Sequence, residues 1–416
     1  MVYLIINIFL SNGRKTESGF FNEMAENIKL KGNIITPFRV IENGEVCYCG
    51  DKITYVGKAQ NNDSLYTVKD YGNNYISPGF IDIHIHGGGG YDFMLGTEEA
   101  FLGAAEFHAK HGTTVLLPTS MCCLDDELFA YFDAFKKVKN VKTNGAQMPG
   151  LHLEGPYFSD AQKGAQDPRY ILKPTKEHYE KLLEKCPDII RWSVAAEVEG
   201  GYELGRALKE RDIVASIGHS NAKLEEALEA YENGYTLLTH FYSGMSALVR
   251  EKSYRFPGLI ESGYMLDAFD VEIIADARHL PASLLKYIYQ AKGASRIALI
   301  TDSTAGAGLA EGTVFKLGTA TNGTDAIIED EVAKLLDRSA FAGSAATTDR
   351  LVRNMIKYAN AGVVDAVRMM TATPARIMNF KNKGILTAGN DSDIVVFNDN
   401  VDIQATIIGG RTVYEK

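Results

Sequence analysis

The chain has 416 residues, 45% of them hydrophobic and 23% charged, with a formal net charge of −10. That length exceeds one small domain and fits a barrel of about 250 residues plus an accessory domain, and the composition excludes a disordered chain. The acidic balance disfavours nucleic acid or an anionic membrane as partner, because phosphate backbones are bound by clustered Lys and Arg.

In chain order, Met1–Leu10 is apolar but lacks a basic n-region and is too short to span a bilayer. It reads as neither signal peptide nor anchor; Met24 is an alternative start, and residues 1–23 an extension without function. Alternating strands are expected at Ile28–Thr36, Glu45–Cys49 and Lys52–Val56. Eight β-branched runs follow: Phe80–His86, Thr113–Thr119, Pro149–Glu154, Arg191–Glu197, Ile213–His219, Thr236–Phe241, Val271–Ala277 and Ile297–Asp302. Between them lie amphipathic stretches such as Glu98–His111, Asp125–Lys139, Lys176–Lys185, Ala222–Asn233 and Pro281–Lys292. Eight strands with crossover helices predict an α/β fold, a (β/α)8 TIM-type barrel over residues 78–383. Strands at Gly384–Leu386, Ile394–Phe397, Ile407–Ile408 and Thr412–Tyr414 close the chain. Neither flank can bury a core alone, so residues 24–77 and 384–416 are expected to build one small β-sandwich from both chain ends. The five cysteines form no CxxC pair, which points to a reducing cytoplasm and away from a disulfide framework.

Polar residues gather at one end of the eight runs: His84, His86, Glu154, Glu197, His219, His240, Asp276 and Asp302. Barrel enzymes place their active sites at that end. His108, His111 and His178 fall on helices and read as surface or packing residues. His84 and His86, two apart on a strand, project from one face and can reach one metal. The four glycines at Gly87–Gly90 let the backbone pass close to a crowded mouth, in preference to cradling a phosphate. Glu154 is costly to hold there unless it ligates a cation or pairs, the alternative partner being Lys163. With His219 and His240 from successive strand ends it supplies three protein ligands and leaves a position for water. Asp302 is either an N-cap or, beside such a metal, the group that takes the water's proton and returns it to a leaving amine. Histidine and carboxylate ligands suit zinc, iron or manganese, one or two ions per subunit.

These motifs resemble the amidohydrolase superfamily and, within it, the N-acetylglucosamine-6-phosphate deacetylases. The resemblance runs from about Lys29 to the C-terminus through Pro78-Gly-Phe-Ile-Asp-Ile-His-Ile-His-Gly, Leu-His-Leu-Glu-Gly-Pro-Tyr, Lys163-Gly-Ala, Gly-His-Ser, Thr-His-Phe, Ile274-Ala-Asp-Ala-Arg-His279, Thr-Asp-Ser and Ala342-Gly-Ser344. It implies that Glu154, His219 and His240 are the principal metal ligands and Asp302 the catalytic aspartate, with His84 and His86 a pair that only some members keep. It also implies that Arg255 binds the substrate phosphate and His279 contacts substrate, in part across a homodimer interface. The implied reaction is hydrolysis of N-acetyl-D-glucosamine 6-phosphate to D-glucosamine 6-phosphate and acetate by a metal-activated water in the cytoplasm. Two departures bear on substrate. Gln166 stands where the family's Lys-Gly-Ala-His motif has histidine, and its amide can donate a hydrogen bond but carry no charge. Ser243 and Gly244 stand in the motif that usually reads Asn-Ala, beside the sugar phosphate. One alternative is a deacylase or cyclic-amide hydrolase of the same superfamily. Cyclic-imide relatives commonly carry a carboxylated lysine at the fourth strand end, where this chain has Ala195-Ala-Glu197. A second is a catalytically silent barrel acting as a structural partner; such a chain would be expected to have lost ligands or Asp302, and none is lost.

Overall fold

In the computed structural model, which describes residues 26–416, the eight runs form parallel barrel strands: Phe80–Ile85, Thr113–Pro118, Leu151–Glu154, Ile189–Val194, Val214–Ile217, Tyr235–Leu238, Asp270–Ile273 and Ile297–Leu299. The third to eighth make one six-stranded sheet, and the first two pair with each other. Bridges Val115–Gln147 and Thr119–His152 join the second strand to the third. The Asp302 amide donates to the His84 carbonyl at 3.0 Å, which joins the eighth strand to the first and closes the ring. A helix follows each strand, as parallel pairing requires. Thr97 and Thr175 accept hydrogen bonds from the amides of Ala100 and His178 and so start the helices Glu98–Ala109 and Lys176–Lys185. Alternation on the fourth strand sends Trp192 and Val194 into the core shared with helix residues Leu182, Leu204 and Leu208. Arg191 and Ser193 therefore face the barrel axis.

Strands from both chain ends pair in one continuous seven-stranded sheet: Asn27–Ile35, Val40–Cys49, Lys52–Lys58, Thr67–Pro78, Ile394–Phe397, Ile403–Ile408 and Arg411–Glu415. Its residues bury their own cluster, including Leu30, Val46, Ile76, Val396 and Ile407. Thr67–Pro78, unforeseen from the sequence because polar residues break its alternation, joins the two ends by pairing with Asn27–Ile35 and Ile394–Phe397. The expected strand Gly384–Leu386 is a loop: Gly384 turns at φ +82° and Leu386 drops into the sheet's core. The extension 1–23 and the start at Met24 lie outside the described residues. No helix among the described residues is long and apolar enough to cross a membrane.

Two additions follow barrel strands. Residues between the eighth strand and the helix Thr348–Ala359 form an antiparallel sheet, Val314–Leu317, Thr324–Glu329 and Val332–Leu335, packed on Leu317, Ile328 and Ala342. After the sixth strand comes a hairpin, Val249–Glu251 with Tyr254–Phe256.

Candidate active site

Three site residues sit just past their strands in left-handed backbone: His219 at φ 49°, His240 at 32° and Asp302 at 48°. Such a conformation costs a non-glycine residue about 1–2 kcal/mol and tends to persist where surrounding structure enforces it, often at functional sites. Here it carries all three side chains toward Glu154, which the third strand ends on.

Glu154 Oε1 lies 3.0 Å from His240 Nε2 and 3.4 Å from the Nε2 atoms of His219 and His84. Its Oε2 is 3.4 Å from His86 Nε2. Asp302 Oδ1 is 3.1 Å from His86 Nε2 and 3.4 Å from His84 Nε2. These six buried residues form two groups with ligand spacing, His84/His86/Asp302 and Glu154/His219/His240, the atoms of each within 4.8 Å of one another. The alternative salt bridge from Glu154 to Lys163 is not formed; four histidines and Gln166 face the carboxylate instead.

The outer ring nitrogens explain what belongs between them. His86, His219 and His240 direct Nδ1 at the carbonyls of Thr119 (3.3 Å), Gln162 (2.8 Å) and Ser243 (3.1 Å), while His84 directs Nδ1 at Glu272 Oε2 (3.4 Å). A ring nitrogen that faces an acceptor is the one placed to carry a proton, which leaves Nε2 of each ring as the atom placed to ligate inward. Lone pairs and carboxylate oxygens then face each other, and only a proton or a metal cation can lie between them. Burial alone would lower His84, but the charges of Glu154 and Asp302 raise it to about 9. His84 Nε2 is nonetheless buried without a hydrogen-bond partner. A divalent cation satisfies all of these atoms, so the donor set fits one.

Gln166 accepts from the Cys122 amide (3.0 Å) and donates Nε2 to Glu154 Oε2 (2.9 Å). Its amide is thus engaged by protein at both ends. A cavity of about 230 Å³ opens over these groups and is also lined by Ser243, Gly244, His279, Leu317 and Phe341. Asp276, at the seventh strand's end, accepts from His279 Nδ1 at 2.8 Å and from the His279 amide at 2.9 Å, fixing that ring in the wall. Burial would raise Asp276, yet its bond to His279 holds the carboxyl below its ordinary value. Glu197 accepts from Ser220 Oγ (2.7 Å) and the Asn221 amide (2.6 Å), pinning the loop behind His219.

Arg255 is not brought to this cavity within one chain: it is exposed on the hairpin, paired with Arg250. His152, though at a strand end, joins neither ligand group and bonds Thr119 Oγ1 and Ser193 Oγ at 3.1 and 2.7 Å. Of the helical histidines, His108 is fully buried, its Nε2 2.9 Å from the Gly87 carbonyl. Sequence reasoning passed over Arg191 and Glu272, both fully buried; an ionic residue inside an otherwise apolar strand was the available signal.

The amidohydrolase family model matches residues 75–413. A protein of Lysinibacillus sphaericus named N-acetylglucosamine-6-phosphate deacetylase is 33% identical over 342 residues, covering 81% of this chain and 85% of that one. A Bacillus subtilis protein of the same name is 30% identical, covering 94% of this chain and 98% of its own. The structure of a variant of N-acetyl-D-glucosamine-6-phosphate deacetylase from Mycobacterium smegmatis, in complex with N-acetyl-D-glucosamine-6-phosphate, superposes with a TM-score of 0.86 at 25% identity, over 93% of this chain and 99% of that one.

Proposed function

Because this chain belongs to the amidohydrolase family and, within it, to the N-acetylglucosamine-6-phosphate deacetylases, we propose that it hydrolyses N-acetyl-D-glucosamine 6-phosphate to D-glucosamine 6-phosphate and acetate in amino-sugar breakdown. The enzyme is a hydrolase of amide bonds. The observation that carries the reading is Glu154, a buried carboxylate with four imidazole nitrogens within 3.4 Å and Asp302 across the same cluster.

Glu154, His219 and His240 would hold the principal metal, and His84 and His86 with Asp302 would hold a second. When bound, zinc, iron or manganese supplies a Lewis acid for the amide carbonyl and lowers the pKa of water. Asp302 accepts the proton of the attacking water and delivers it to the sugar nitrogen as the amide C–N bond breaks, so that acetate and a free amine leave. His279, fixed by Asp276, contacts the sugar, and Ser243 and Gly244 line its far side. Arg255 reaches the phosphate of a neighbouring subunit's substrate, which makes the working form a homodimer; the exposure of the hairpin that carries it supports this. Residues 78–383 form the catalytic domain, 24–77 with 384–416 the accessory β domain, and the enzyme works in the cytoplasm.

The test is acetate release from N-acetylglucosamine 6-phosphate, its galactosamine counterpart and both unphosphorylated sugars, before and after chelation. Chelation should abolish turnover, a divalent metal should restore it, and Glu154→Gln should lose both metal and turnover. Full activity in metal-free protein would sink the mechanism; activity confined to another amide would replace the substrate.

A further inference from the structure

Arg191 and Glu272 form an ion pair inside the barrel with no exposure of either side chain, and the hydrolytic steps above use neither. Two buried charges carry a desolvation penalty that an apolar pair of similar volume would avoid, so stability is a weak reason for placing them there. Their contacts lead to the metal cluster. Glu272 Oε2 lies 3.4 Å from His84 Nδ1 and accepts from the His240 amide at 3.3 Å, so one carboxylate touches a member of each ligand group. Arg191 holds that carboxylate and donates Nη1 to the carbonyl of Ile83, the residue before His84, at 2.7 Å. Its Nη2 faces the hydroxyls of Ser216 and Thr239 at 3.4 and 3.5 Å.

His84 is singled out by this arrangement. The other three histidines rest Nδ1 on main-chain carbonyls, whereas His84 is backed by an anion. A carboxylate behind an imidazole fixes its tautomer and orientation and makes the opposite nitrogen a stronger ligand. We infer that Glu272, held in place by Arg191, is a positioning residue that sets the affinity of the His84/His86/Asp302 group for a second divalent cation. This rests on the metal-hydrolase reading above and adds to it a division of labour between the two groups.

Titration of metal-free protein with Co²⁺, followed by calorimetry and by the visible absorption of the bound ion, tests it. Wild type should bind in two steps. Glu272→Asp keeps the charge that Arg191 requires but withdraws the carboxylate from His84 by one methylene. It should leave the first step little changed and weaken the second about ten- to hundredfold. The double variant Arg191→Met/Glu272→Gln, which removes both charges of the pair, should weaken the same step and provides the answer if Glu272→Asp fails to fold. Ser216→Ala, which touches Arg191 and not Glu272, should preserve both steps. Wild-type affinity for the second ion in either Glu272 variant overturns the inference, as does a wild type that binds a single ion and still releases acetate. A wild type that binds no ion and yet turns over instead refutes the metal-hydrolase reading itself.

Discussion

Replacing Gln166 by alanine separates two roles for one side chain. The Cys122 amide can only donate, so the Gln166 atom it meets at 3.0 Å is the carbonyl oxygen, and the group 2.9 Å from Glu154 Oε2 must be the NH₂. Alanine removes a hydrogen bond to a charged group, worth about 1.5–3 kcal/mol, and leaves a buried N–H unpaired at a further cost of about 1–3 kcal/mol. The variant should therefore unfold more easily by about 3 kcal/mol or more. With Glu154 no longer held, metal affinity should fall about 10–100-fold, as for other partners that orient a ligand. Excess metal should then bring kcat back to within about tenfold of wild type, because the damage lies in ligand placement. Loss of an oxyanion donor would instead hold kcat down about 10²–10³-fold at any metal concentration. Acetate release measured across a metal titration, with thermal unfolding alongside, distinguishes the two. Unchanged metal affinity with kcat still depressed a hundredfold in excess metal would refute the ligand-holding role.

Arg255→Ala should raise KM for the phosphorylated sugar far more than for its unphosphorylated analogue, since it removes one ion pair to phosphate; equal effects on both would remove Arg255 from the phosphate site. Deleting residues 1–23 should leave folding and turnover intact, because the first described strand starts at Asn27; a truncated chain that fails to fold would contradict this. His108, buried against the Gly87 carbonyl, is pushed by burial down to about 4, against about 6.5 when unfolded. The unfolded chain thus binds the proton first, so the stability linked to this residue is complete above about pH 6.5 and is lost as pH falls toward 4, by about 3 kcal/mol. Urea unfolding at pH 7.5 and 4.5 should show wild type losing about 2–3 kcal/mol more than His108→Gln; equal losses would mean that His108 is not held neutral.

The barrel was legible because its signal is local. Each strand announces itself in a few β-branched residues, and the polar residue that ends it falls where the next loop begins, which is why His84, His86, Glu154, His219, His240 and Asp302 could be assembled from one dimension. What escaped depends on distance in sequence or on a broken pattern. Thr67–Pro78 carries Lys69, Asp70, Asn73 and Asn74, so its alternation is masked, although it is the strand that unites the chain ends. The antiparallel sheet from Val314 to Leu335 follows the eighth strand, beyond the repeating unit that guided the reading. Arg191 and Glu272 stand on the fourth and seventh strands, and only closure of the barrel brings them together. Gln166 was recognised as a departure, yet its neighbours Cys122 and Glu154 come from two other strand ends, and no spacing reveals that.

The left-handed backbone at His219, His240 and Asp302 has a consequence for anyone breeding a hardier version of this enzyme. Glycine at such positions relieves about 1–2 kcal/mol of backbone strain each, so in metal-free protein a variant that discards one of the proposed ligands or the proposed proton carrier recovers that strain by the same change. A screen that scored survival at high temperature and never assayed acetate release would be drawn to these three positions, and its winners would be barrels that have forgotten their chemistry.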